Sequence, residues 1–80
     1  MHELSLANEI LSLALKEARD RKVTSIKIAL AEDGHTTAES LSEAFGLASQ
    51  GTLAEGARLD IQKSNDLETR MVELEVEEES

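Results

Sequence analysis

The 80-residue chain contains no cysteine, no tryptophan and no tyrosine, and Phe45 is its single aromatic residue. Without cysteine there is no disulfide, no thiolate zinc site and no cysteine nucleophile. The core must therefore be aliphatic. Basic residues are also scarce: 8 Lys and Arg stand against 17 Asp and Glu, for a net charge of −9. That balance repels phosphate backbones and anionic bilayers, so the expected partners exclude nucleic acid and membrane and include a basic surface or a cation. No apolar run approaches the roughly 20 residues that span a bilayer. Glu3 and Glu9 interrupt the opening segment and no basic stretch precedes it, so no secretory signal is expected and the cytoplasm is the expected location. A domain of this length buries only about 60% of the surface of its unfolded chain. Association with a second copy or another protein would add burial that the chain lacks alone.

The residues present fall into clear periods. Leu4, Ala7, Ile10, Leu11, Ala14 and Ala18 recur at helical spacing, which predicts an amphipathic helix from about Leu4 to Asp20. Leu6, Leu13 and Leu15 widen its apolar face. Ile26, Ile28 and Leu30 then alternate with Ser25, Lys27 and Ala29, the pattern of a half-buried strand. Asp33-Gly34 reads as a turn, and Thr36 with Glu39 reads as a capping box opening a second helix over about 37–49. Leu41, Ala44, Phe45 and Ala48 form its apolar side, and Gly51 is a plausible stop. Ala57, Leu59 and Ile61 predict a second strand, and Val72, Leu74 and Val76 a third with Met71, Glu73 and Glu75 on its other face. The expected fold is α+β: two helices packed on one face of a small three-stranded mixed sheet, in the order α-β-α-β-β. The first two strands, joined through a helix, should run parallel.

Few residues carry chemistry. His2 can offer its imidazole Nδ1 together with its own backbone nitrogen to one cation, with Glu3 supplying a further backbone nitrogen and the Met1 amine within reach. Such nitrogen-rich sites suit Ni(II) or Cu(II). By spacing alone, a single histidine near a terminus also reads as an ordinary surface residue. His35 reads either as an exposed loop residue or as a further metal ligand, should its turn fold near the N-terminus. Glu32 and Asp33 beside it lack the nucleophile or basic partner that covalent catalysis needs, and the scattered glycines form no phosphate loop, so no enzyme is expected.

Three stretches carry a resemblance. The opening "MHELSLANEIL", the segment "IKIALAEDGHTTAESLSEAF" and the segment "GTLAEGARLDIQ" resemble the HypA/HybF family of nickel-delivery proteins over about residues 1–63, and "ETRMVELEVEE" is similar to that family's closing strand. The resemblance implies a nickel metallochaperone that assists maturation of nickel–iron hydrogenase, sometimes serving urease. It implies Ni(II) binding through His2 and Glu3, including their backbone nitrogens, with Met1 and His35 as further candidates. It also implies work with a nickel-handling GTPase that docks near the first helix, and delivery to the hydrogenase large subunit. The chain departs from the family in one respect. Family members carry a zinc domain with two Cys-x-x-Cys pairs between the last two strands, where this chain has "QKSNDLETR". Residues 1–80 are accordingly read as a single nickel-binding domain with a short turn near 63–67, where a hairpin would join the last two strands, and no zinc is expected. The alternative reading is a metal-free interaction module that binds the GTPase or, as a homodimer, itself.

Overall fold

The structure, a computed structural model, describes residues 2–31, 36–65 and 67–78. Its elements are α1 (His2–Ala18), β1 (Val23–Ala31), α2 (Ala38–Ala48), β2 (Arg58–Ser64) and β3 (Arg70–Val76). The α+β order is the one expected from the periodicities.

Helix α1 starts and stops two residues earlier than the expected span of Leu4 to Asp20. The apolar stripe marks only the part of the helix that packs: Ala7, Ile10, Leu11, Ala14 and Ala18 are buried, whereas Leu4 is 42% exposed. The first turn thus overhangs the core, and it needs no apolar period to be helical. At the other end Arg19 and Asp20 take left-handed conformations (φ 50° and 70°), and the Arg21 N–H donates to the Ala18 carbonyl at 3.1 Å. Two residues without the freedom of glycine hold this conformation, at a cost of roughly 1–2 kcal/mol each. The chain reverses at once into β1.

Strand β1 is the centre of the sheet, which has the order β2-β1-β3. It pairs parallel with β2 without interruption from Ser25↔Arg58 to Ala31↔Ser64, and antiparallel with β3. The rows Leu59–Ile26–Leu74 and Ile61–Ile28–Met71 face the helices, where Ile26 and Ile28 are fully buried among Ile10, Ala14, Leu41 and Phe45. The rows Arg58–Ser25–Glu75 and Asp60–Lys27–Glu73 fall on the opposite, polar face. Burying the five largest enclosed side chains (Phe45, Ile26, Ile28, Leu41 and Val23) stabilises the fold by about 1.5–3 kcal/mol apiece.

Strand β3 departs from simple alternation. Opposite Lys27 and Ile28 stand Glu73 and Met71, so Val72 is an extra residue bulged out of the ladder and 55% exposed, while Met71 turns inward. Val72 therefore does not join the inward face expected for it. A second shift places Thr24 as the extra residue on β1, between Val23↔Val76 and Ser25↔Glu75. One bulge on each strand cancels the other, so Leu74, Val76 and Met71 all reach the core side.

The last two strands do not form the expected hairpin, because β1 lies between them. The 65–69 connection crosses the end of β1, a span of two strand spacings or about 10 Å. The Ala31 N–H donates to Thr69 Oγ1 at 2.9 Å and ties this connection down.

Helix α2 also differs in detail. Its N-cap is Thr37 and its box partner is Ser40, one position later than the Thr36–Glu39 pair. The short Ser40 hydroxyl does what a longer glutamate would, accepting from the Thr37 N–H at 3.2 Å while the Ser40 N–H donates to Thr37 Oγ1 at 3.0 Å. Beyond Ala48, Gly51 (φ 78°) and Gly56 (φ 79°) permit two sharp reversals. Between them the fully buried Ala54 anchors the loop, and the Leu53 carbonyl accepts from the Val23 N–H at 2.9 Å. The "GTLAEGA" segment is thus the clamp that holds the start of β1.

Candidate metal centre

His2 and Glu3 are the first two residues of α1. In any α-helix the leading N–H groups have no carbonyl one turn back to bind. Here that applies to the amides of His2, Glu3 and Leu4. A backbone nitrogen can ligate a cation only after losing its proton, and an amide already donating to a carbonyl must first surrender that bond. First-turn amides have no helical carbonyl bond to surrender. The chemistry required of His2 and Glu3 is therefore compatible with the helix extending to His2, where a start at Leu4 would have left both outside it. The same end of the helix carries partial positive charge, which the Glu3 carboxylate offsets. Glu3 is half-buried and engaged in an interaction of its own.

The tight reversal after Ala18 sends β1 back along α1, so the first turn of α1 lies toward the end of β1 occupied by Ala31. From Ala31 the chain departs into the 32–35 segment, and the 65–69 connection crosses at the same end. Met1, Glu32, Asp33 and His35 lie outside the described residues. Among the described residues no group of three or more His, Asp or Glu side chains comes together as a metal site. A chelate built partly from backbone nitrogens needs no such group. No further ligand that the sequence had failed to suggest emerges among the described residues.

The chain is similar to known proteins along most of its length. The family described as "Hydrogenase/urease nickel incorporation, metallochaperone, hypA" matches residues 1–76. A hydrogenase maturation factor HypA from Methylocella silvestris is 41% identical over 64 residues, covering 76% of this chain and 57% of the relative. One from Chlorobaculum tepidum is 38% identical over 66 residues, covering 79% and 58%. The chain thus spans little more than half the length of the curated relatives it matches. The solution structure of the Ni metallochaperone HypA from Helicobacter pylori superposes with a TM-score of 0.78 at 17% identity, over 92% of this chain and 96% of that one, a likeness of fold. No described helix is long and apolar enough to cross a membrane. With its family matched almost end to end and its His2-Glu3 opening set in the first turn of α1, the chain belongs to the HypA family of hydrogenase and urease nickel metallochaperones.

Proposed function

We propose that this chain is a non-enzymatic, cytoplasmic nickel-binding module that delivers Ni(II) as cargo during hydrogenase maturation, with urease as a second destination. The observation that carries the reading is the family match over residues 1–76, which includes the His2-Glu3 opening. In this reading the His2 imidazole and the backbone nitrogens of His2 and Glu3 hold the ion. The Met1 amine and the His35 imidazole are the next donors to consider. The net charge of −9 favours cation capture and contact with a basic face of a nickel-handling GTPase, from which the ion passes toward the hydrogenase large subunit. With no cysteine, the thiolate zinc site of longer family members cannot form, so the module works without zinc.

Calorimetry with Ni(II) on untagged protein, beside His2→Ala, tests the reading. Binding by the parent and its loss in the variant is the expected result. Equal binding by both would refute the assignment of the site.

A second reading is a metal-free interaction module, supported by Leu4 and Leu13, which stand 42% and 50% exposed on α1. Capture of the GTPase by a chain with no measurable nickel affinity would favour it over the first.

A further inference from the structure

The sheet has two outer edges, and only one is protected. Along β3 the Val72 bulge breaks the line of the strand, and from the bulge onward its charged residues, Glu73 and Glu75 with Glu77 just past its end, are all acidic, Arg70 being the one cation of the strand. Bulges and like charges are the usual devices that keep strand edges from pairing. Strand β2 has neither. It keeps an unbroken register with β1 over Arg58–Ser64, it contains no proline, and its far side pairs with no strand among the described residues. Its inward residues Leu59 and Ile61 are only half-buried. On the polar face Arg58 and Asp60 carry opposite charges two positions apart, and among the described residues neither side chain makes a hydrogen bond or ion pair.

We propose that the β2 edge docks a second copy of this chain in antiparallel register centred on Leu59. Antiparallel partners share a face, and in this register every residue meets one of the same parity. Outward-turned backbone groups therefore meet outward-turned backbone groups. Arg58 stands opposite Asp60 of the second copy, and Asp60 opposite its Arg58, while Leu59 meets Leu59 and Ala57 meets Ile61 on the helix-covered face. Charge selects this register over its neighbours. Centring on Asp60 sets two aspartates against each other, a destabilising cross-strand pair. Centring on Ile61 puts Leu59 against Lys63 and Arg58 against Ser64. Lys27, beside Asp60 in the sheet, has Glu73 on its other side, so Asp60 remains available to the second arginine. The result is a continuous sheet of order β3-β1-β2-β2-β1-β3. The paired stretch is short and each copy carries a charge of −9, so the dimer is weak and reversible. It requires no metal and stands apart from the nickel reading.

Sedimentation equilibrium of the full chain in EDTA, over a range reaching millimolar protein, tests this. The expected result is a reversible dimer that Arg58→Asp or Asp60→Arg alone weakens at least tenfold, and that the double swap restores to within about threefold. Because the chain has no cysteine, Leu59→Cys should also cross-link with a second copy on mild oxidation, since directly opposed Cα atoms lie about 4.5–5.5 Å apart, within disulfide reach. Asp60→Cys should not, its counterpart being displaced along the strand. A parent that stays monomeric throughout, a dimer indifferent to both single reversals, or equal cross-linking at both positions would each overturn the proposal.

Discussion

Helix α2 starts with a closed ring of hydrogen bonds, the Thr37 hydroxyl and the Ser40 hydroxyl each serving the other residue's backbone N–H. Helix α1 starts at His2, with Glu3 as the acidic residue of its first turn and its leading amides outside the helical ladder. The two ends also differ in what they stand on. The capped end of α2 leads within one turn to the fully buried Leu41, whereas α1 runs from Glu3 through Leu6 with no fully buried residue before Ala7. The contrast separates a helix start closed by its own cap from one whose leading amides lie outside the helical ladder.

That contrast can be broken from the α2 side first. Phe45 is 2% exposed and the only aromatic residue in the core, so Phe45→Ala should cost about 3–5 kcal/mol, read from urea unfolding. The cap itself is a smaller lever. Thr37→Ala removes the acceptor for the Ser40 N–H and should cost about 1 kcal/mol, with nickel binding by the folded protein unchanged in a titration at a temperature well below the transition. Changing His2 to alanine should reverse that pattern, shifting unfolding free energy by less than about 0.5 kcal/mol while abolishing nickel binding. Smallest of all should be Val72→Thr, which alters a residue already outside the ladder and should leave the unfolding midpoint within experimental error. Acidification sharpens the comparison without any substitution. Imidazole and amide nitrogens bind metal only when deprotonated, so nickel affinity should fall as pH is lowered, and circular dichroism at the same pH should report an intact fold.

The parts of the fold that were legible in the sequence are those in which one residue period meets one surface. Ile26, Ile28 and Leu30 alternate because β1 is covered on one face only, and Leu41 and Phe45 stand one helical turn apart because α2 packs along one stripe. The errors fall where a second influence intervenes. Val72 continues the apolar alternation, yet the two compensating bulges that expel it are a property of the β1–β3 pair. The capping box shifted by one residue because a serine hydroxyl can replace a glutamate, a substitution that the usual motif does not include. The connection between β2 and β3 was short enough for a hairpin, and nothing local reveals that another strand lies between its ends. Of the candidate site, the residue identities at 2 and 3 came directly from the sequence, while their position inside the first turn of α1 did not.

Taken by itself, the sequence determined the class of the protein: cysteine-free, acidic, aliphatic in its core, built from two helices and three strands, and similar in its opening residues to nickel-delivery proteins. Composition and period are local or additive properties, and a one-dimensional reading captures them. The tertiary structure alone decided that β1 is central, that β3 pairs with it rather than with β2, that Val72 leaves the ladder, and that one sheet edge is guarded while the other is flat. Each of these depends on which distant segment supplies the neighbouring hydrogen bonds and side chains, and pairing free energy is shared between two strands.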